Sequence, residues 1–90
     1  MTREELRALI VAVIGEIAPE TDAAAVDDAE DLREVLDLDS MDIFNLVVAV
    51  SERLGIDIPD VDAVNLVTLA GGIAYLETRL SRSKPDDRPA

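Results

Sequence analysis

The stretch DSMDIFNLVVAVSERLG, residues 39–55, determines how this chain folds. Asp39 and Ser40 can each accept a hydrogen bond from an amide that the start of a helix leaves unpaired, and Gly55 can adopt the left-handed conformation that ends a helix. We therefore predict a helix over residues 41–54. Its core-facing residues recur at spacings of three and four, which places them on one face: Ile43, Leu46, Val47, Val50 and Leu54.

A second apolar row runs along the same predicted helix. Met41, Phe44 and Val48 also recur at spacings of three and four. One buried face does not hold both rows in a small bundle, so we predict that the second row faces solvent or a docking partner. The alternative is a central helix that is buried on all sides.

Two further long helices are predicted, one before and one after this stretch. Thr2 and Glu5 have the spacing of a capping box, which predicts a helix over residues 3–17 that ends before Pro19. Thr68 can cap a last helix. The apolar faces of these two helices are expected in the core: Leu6, Leu9, Ile10, Val13, Ile14 and Ile17 in the first, and Leu69, Ile73, Leu76 and Leu80 in the last.

The segment 18–39 contains nine acidic residues and a single basic one, Arg33. A loop of this length is uncommon in a compact domain unless it is functional, and it must be held to the core. A calcium loop of the EF-hand type is one alternative, but that pattern requires a central glycine and this segment has none. We expect a short helical turn over 31–36 and four apolar anchors: Leu32, Val35, Leu36 and Leu38.

The segment between the second and the last long helix is short. The alternation over 56–59 fits a strand, but no partner strand is evident, so we predict a loop with two inward isoleucines. Residues 60–66 are expected to form a brief helix. Gly71 and Gly72 lie within the last helix, where each costs about 1 kcal/mol relative to alanine. They indicate close approach of another helix or of a ligand.

These elements predict an all-α fold, an up-down bundle of four helices of which three are long and one is short. Ninety residues suffice for one domain with one modest core, and we expect a monomer. We assign this domain to residues 1–80. Residues 81–90, which contain no large apolar side chain, are expected to form a disordered polar tail.

Composition excludes several classes of function. The 20 acidic and 8 basic residues give a formal charge of −12, which opposes binding to nucleic acids and anionic membranes and favours partners with basic surfaces. With no histidine and no cysteine, the chain lacks the usual general base, thiol nucleophile and zinc ligands. No leader pattern follows Met1, and the longest apolar run, residues 8–14, is far shorter than the ~20 residues that cross a bilayer. We expect a soluble, cytoplasmic protein without metal.

Residues 38–42, LDSMD, resemble the Asp-Ser-Leu attachment motif of acyl carrier proteins, with Met41 in place of the usual leucine. The resemblance continues at Gly55, at Ile58-Pro59-Asp60 and at Thr68-Leu69, which have the spacing of that family, and it extends from about Leu6 to Leu80. It implies the four-helix carrier fold. It also implies that a phosphopantetheinyl transferase attaches 4′-phosphopantetheine from coenzyme A to Ser40, so that a non-catalytic carrier bears acyl groups as thioesters on the arm.

The resemblance also implies roles for residues around this serine. Partner enzymes with basic patches are expected to contact Asp39, Met41, Asp42, Phe44 and Val48. If an acyl chain is sequestered, the pocket that holds it is expected to be lined by Leu46, Val50, Leu66 and Leu69. Ordinary core packing is the alternative role of these residues. A plain helix cap is the alternative role of Ser40. A hydrolase serine is excluded, because residues 38–42 contain no glycine and the chain has no histidine.

The sequence departs from the family pattern along the second helix. Asn45 and Ser51 occupy positions where glutamate is frequent in the family, and Arg53 adds a positive charge. We therefore expect a specialised pathway, in fatty-acid, polyketide or other lipid synthesis. The alternatives are an aminoacyl, peptidyl or D-alanyl carrier, and an unmodified acidic helical module that binds proteins. A catalytic role for paired aspartates has no convergent pocket to support it.

Overall fold

The computed structural model describes residues 1–82, which form helices and connecting loops and contain no strand. The all-α prediction is therefore confirmed. In chain order the elements are α1 (Arg3–Ile17), a 3₁₀-helix (Ala23–Ala25), α2 (Leu32–Val35), α3 (Ser40–Leu54), a second 3₁₀-helix (Asp60–Leu66, called the 60–66 helix below) and α4 (Leu69–Arg82).

The helix bounds agree closely with those predicted from the sequence. The first helix spans residues 3–17 as expected, and α3 begins one residue earlier than expected, at Ser40. The brief fourth helix is present over residues 60–66 but has 3₁₀ geometry. Helix α4 continues to Arg82, two residues into the segment assigned to the tail, and residues 83–90 lie outside the described part of the chain.

The core lies between the three long helices, each of which buries one face. Burying a large aliphatic side chain contributes about 1.5–3 kcal/mol before chain entropy is subtracted, so these faces hold the bundle together. Leu9, Ile17, Leu54 and Leu80, expected on the same faces, are only partly buried at their edges. The buried residues are Leu6, Ile10, Val13 and Ile14 in α1, Ile43, Leu46, Val47 and Val50 in α3, and Leu69, Ile73 and Leu76 in α4.

The long acidic segment is held to the core by fewer apolar anchors than we predicted. Leu32 and Leu38 are buried and Leu36 is partly buried. Val35 is 44% exposed, so its assignment as an anchor was wrong. It lies at the end of α2, a helix of only four residues, where one turn presents a single side to the core and Leu32 occupies it.

Polar contacts that the sequence did not predict complete the anchoring. The Arg7 guanidinium of α1 donates to Asp28 Oδ1 at 2.9 Å and to the carbonyls of Ala24 and Val26 at 3.3 and 3.1 Å. The backbone of the segment is also tied to the start of α4, because the amide of Ala70 donates to the carbonyl of Asp28 at 2.9 Å. The loop is therefore fixed at several points, and α2 is held in place before Ser40.

The two glycines of α4 mark a close approach between helices. A Cβ atom on Gly72 would lie 3.1 Å from Ile10 Cδ1 of α1, so α1 is the neighbour that the sequence left undetermined. A Cβ atom on Gly71 would lie 2.7 Å from the carbonyl oxygen of Asn65, at the end of the 60–66 helix. Thr68 caps α4 as predicted, because its Oγ1 accepts from the Gly71 amide at 2.9 Å.

Within residues 1–82, no helix combines the length and the apolar content that are needed to span a membrane.

Candidate functional site

Ser40 is the first residue of α3 and its side chain is exposed. The chain bends at Leu36, and Asp37 follows with a φ of 57°, in the left-handed region that aspartate tolerates better than most residues. Leu38 then lies in the core, where it is 6% exposed. Ser40 is thus displayed on a short segment that is fixed on one side by Leu38 and on the other by the buried face of α3.

The helix cap of α3 is Asp39 and not Ser40. Asp39 Oδ1 accepts from the amide of Asp42 at 2.9 Å, and Asp42 Oδ2 accepts from the amide of Asp39 at 3.2 Å. This reciprocal pair is a capping box, for which the sequence had left both Asp39 and Ser40 as candidate caps. A plain capping role for Ser40 is therefore wrong, because its neighbour already fills it.

The Ser40 hydroxyl has no hydrogen-bond partner among the side chains and backbone of the described residues. The backbone amides of Ser40 and Met41 also have no acceptor within that range. Amides in the first turn of a helix favour an anion placed there, through their own N–H groups and the positive end of the helix dipole. These amides and the helix dipole would therefore stabilise the negative charge of a phosphate ester formed on this hydroxyl.

An open groove of about 690 Å³ begins at Ser40 and lies between α3 and the 60–66 helix. Its walls are largely apolar, and its charged residues are Arg33, Asp39 and Asp60. Its volume lies in the range of small-molecule sites and would accommodate an organic chain that starts at the serine. The apolar residues that line it are Leu38, Ile43, Phe44, Val47, Ala63, Val64 and Val67.

The predicted second row of α3 is exposed along its whole length. Met41, Phe44 and Val48 retain 62%, 49% and 38% of their accessible surface. A central helix buried on all sides is therefore excluded. The predicted contact of this row, and of Asp39 and Asp42, with partner enzymes stays a prediction.

Apolar surface continues on the far side of the groove, and this surface was not predicted from the sequence. Val61 and Val64 of the 60–66 helix are 83% and 64% exposed. Their spacing of three is the signal that was missed, because residues three apart lie directly above one another in a 3₁₀-helix. Phe44 and Val64 both line the groove, which gives it an apolar rim on each side.

The residues predicted to surround an acyl chain lie elsewhere. Leu46, Val50, Leu66 and Leu69 are each at most 1% exposed, and none of them lines the groove. They form part of the closed core, where Leu46 and Val50 lie on α3 beside the groove residues Ile43 and Val47. Their role as an acyl lining stays a prediction, which requires the core to open.

Arg33 is a site residue that sequence reasoning did not select. Its side chain lines the groove together with Ser40 and forms a two-pronged ion pair with Asp31, Nε to Oδ1 at 3.0 Å and Nη2 to Oδ2 at 2.7 Å. Hydrogen bonds from Arg33 hold the pKa of the Asp31 carboxyl below its usual value. The available signal was its position as the only basic residue in the acidic segment 18–39.

Comparison with known proteins agrees with this geometry. The family described as "Phosphopantetheine attachment site" matches residues 4–76. An acyl carrier protein of Campylobacter hominis is 36% identical over 81 residues, which cover 90% of this chain and 95% of that protein. Acyl carrier proteins of Acidothermus cellulolyticus and Helicobacter hepaticus are 31% and 33% identical, each over 84% of this chain and over 89% and 93% of their own lengths.

The family match and these relatives cover α1, the acidic segment, α3 and most of α4. The chain therefore belongs to the acyl carrier protein family, whose cofactor is a covalently attached 4′-phosphopantetheine.

Proposed function

We propose that this protein carries acyl groups as thioesters on a phosphopantetheine arm attached to Ser40. The observation that carries the proposal is the state of the Ser40 hydroxyl, which is exposed at the start of α3 and has no hydrogen-bond partner within residues 1–82. A hydroxyl held in this way is accessible to a modifying enzyme. It also lines the open apolar groove, so its surroundings fit a group joined through a phosphodiester.

The arm supplies the reactive thiol that the chain itself lacks. The chain contributes position, because Asp39 caps α3 and thereby keeps Ser40 at a fixed place with its oxygen outward. A serine hydroxyl is a weak nucleophile without an adjacent base, and this chain has no histidine to provide one. A phosphopantetheinyl transferase must therefore activate Ser40, and the carrier performs no catalytic step.

Partner enzymes would dock on the N-terminal half of α3. The exposed row of Met41, Phe44 and Val48 supplies apolar contact, and Asp39 and Asp42 supply negative charge beside the serine. Basic docking patches complement such a surface and accelerate association. We place the carrier in the cytoplasm, acting as a monomer.

Asn45 and Ser51 weaken the acidic character of α3, which supports service in a specialised fatty-acid, polyketide or lipid pathway. A housekeeping carrier and this protein can be compared as substrates of a generic ketosynthase. We expect slower turnover of this protein; equal turnover would contradict a specialised role.

Intact mass spectrometry tests the carrier function. Incubation with coenzyme A and a promiscuous phosphopantetheinyl transferase should add the mass of one phosphopantetheine to the wild-type chain. Ser40→Ala should gain nothing. Ser81→Ala, which removes another exposed serine, should be modified like the wild type. An unchanged wild-type mass, or modification of Ser40→Ala, would overturn the proposal and favour an unmodified protein-binding module.

A further inference from the structure

The surroundings of Ser40 are acidic, and one cation lies among them. Of the three charged residues that line the groove, Asp39 and Asp60 are acidic and Arg33 is basic. A phosphodiester on Ser40 adds a further negative charge beside Asp39. Like charges in one groove repel, and the repulsion is reduced where a cation can lie against the added anion.

The Arg33 side chain is suited to that position by its geometry. It is held by Asp31, whose Oδ1 also accepts from the Arg33 backbone amide at 2.9 Å, so the guanidinium is anchored close to its own helix. The Arg33 side chain as a whole is half exposed. Arginine has five N–H donors, and the pair with Asp31 uses one on Nε and one of the two on Nη2, which leaves three without an acceptor in the described part of the chain.

The chemistry of the two groups matches. A phosphodiester has one negative charge shared by two non-bridging oxygens, which a planar guanidinium can bind with two parallel N–H groups. The three remaining donors allow Arg33 to bind these oxygens while it keeps its pair with Asp31. Lysine carries a compact charge without these parallel donors. A lysine at position 33 is therefore expected to bind the phosphodiester less well than arginine does.

We propose that Arg33 is a positioning residue that binds the phosphodiester on Ser40 and directs the first part of the arm along the groove. The inference rests on the proposed attachment at Ser40. It is supported by the position of Arg33, which is the only basic residue that lines the groove within the described part of the chain and lies on α2, a helix fixed to the core through Leu32. Arg33 thereby offsets the negative charges of Asp39 and Asp60, which line the same groove.

The experiment compares unmodified and modified forms of four proteins: wild type, Arg33→Gln, Arg33→Lys and Arg53→Gln. Arg53 is the matched control, because it is also a partly exposed arginine with one carboxylate partner, Glu16, but lies near the opposite end of α3. Intact mass establishes that each sample has gained one phosphopantetheine, and the absence of a gain in Ser40→Ala places that group on Ser40. The phosphorus NMR resonance of the modified forms and the urea unfolding midpoints of both forms are then measured.

In Arg33→Gln we expect the phosphorus resonance to move relative to the wild type, because the guanidinium no longer lies against the phosphodiester. We also expect modification to stabilise the wild type more than Arg33→Gln, by about threefold in the unfolding equilibrium constant, as for a partly exposed ion pair. The difference should shrink at high salt. Arg33→Lys should retain part of these effects, and Arg53→Gln should resemble the wild type.

A purely structural role for Arg33 would lower the stability of both forms equally and leave the phosphorus resonance in place. That result, with Ser40 shown by mass to be modified, would overturn this inference and leave the carrier function intact. A wild-type chain that gains no mass would instead overturn the carrier function and this inference with it.

Discussion

Helix α3 has a serine near each end, and the structure treats the two in opposite ways. Ser40 at the start is exposed, and its hydroxyl has no partner within residues 1–82. Ser51, in the last turn, is partly buried, and its hydroxyl donates to the carbonyl of Ile56. The two side chains have the same chemistry. They differ in exposure and in hydrogen bonding, and only the Ser40 hydroxyl is both exposed and without a partner in the described residues.

The difference extends to the backbone at the two ends. At the C-terminal end, Gly55 adopts φ of 66° and its amide donates to the carbonyl of Ser51, which also accepts from the amide of Ile56 at 3.1 Å. At the N-terminal end, the amides of Ser40 and Met41 have no acceptor in residues 1–82. The C-terminal end is thus closed by two hydrogen bonds to the Ser51 carbonyl, whereas the N-terminal end retains two amide donors and a hydroxyl that have no partner in the described residues.

The largest effect is expected from the two apolar rows of α3. Leu46→Ala, in the buried row, should lower the free energy of unfolding by about 2–5 kcal/mol, because it leaves a cavity in a closed core. Phe44→Ala, in the exposed row, should cost about 1 kcal/mol, because about half of its surface already lies in water. Urea unfolding measures both values. Equal losses would show that the two rows do not differ as described.

The local features of this comparison could be predicted from the sequence. The bounds of α1 and α3, the cap at Gly55 and the exposure of the second row depend on spacing and on residues adjacent in the chain. The choice between Asp39 and Ser40 as the cap could not be made from the sequence. Aspartate and serine side chains both accept hydrogen bonds from first-turn amides, and the two residues are adjacent, so the helix could begin after either one.

The remaining features depend on contacts between distant parts of the chain. Arg7 reaches across to the carbonyls of Ala24 and Val26, and no local pattern marks those carbonyls as acceptors. The groove likewise exists only because the 60–66 helix packs beside α3, so its residues Arg33 and Val64 had no visible role in the sequence. Val35 was misplaced for the same reason, because the side of a four-residue helix that faces the core is set by the rest of the fold.

Intermediate effects are expected at the caps of the two ends. Asp39→Ala should cost about 1 kcal/mol through loss of the N-terminal cap. Gly55→Ala should cost a similar amount, about 1 kcal/mol, because alanine is strained at positive φ. Only Asp39→Ala should also slow the modification of Ser40, since fraying of the first turn releases the hydroxyl from its fixed position. Urea unfolding and the initial rate of mass gain measure the two effects.

Asp39→Asn is the control for this pair of substitutions. Asparagine keeps a side-chain oxygen that can accept from the Asp42 amide but has no charge, so it should preserve most of the stability. A slow modification rate in Asp39→Asn would then report lost attraction to the transferase. Modification of Asp39→Ala at the wild-type rate would contradict a positioning role for the cap.

The smallest effect concerns Tyr75, which holds the 60–66 helix against α4. Its hydroxyl donates to Asp62 Oδ2 at 2.7 Å and accepts from Arg79 Nη1 at 2.7 Å. Partial burial, followed by the hydrogen bond to Asp62, raises the pKa of the Tyr75 phenol above its usual value. Because the folded state binds this proton more tightly, the contribution to stability is complete below the unfolded pKa of about 10 and is lost as the pH rises through the folded value.

Tyr75 is the only tyrosine in the chain, so its ionisation can be followed directly by ultraviolet absorbance of the phenolate. The midpoint should lie above that of the urea-unfolded protein. Asp62→Asn should lower this midpoint, because the carboxylate that accepts the phenol's hydrogen bond is gone, and Arg79→Gln should raise it, because the nearby cation favours the phenolate. If both substitutions shift the midpoint in the same direction, the hydrogen bonds from Tyr75 to Asp62 and from Arg79 to Tyr75 do not hold the 60–66 helix against α4 as described.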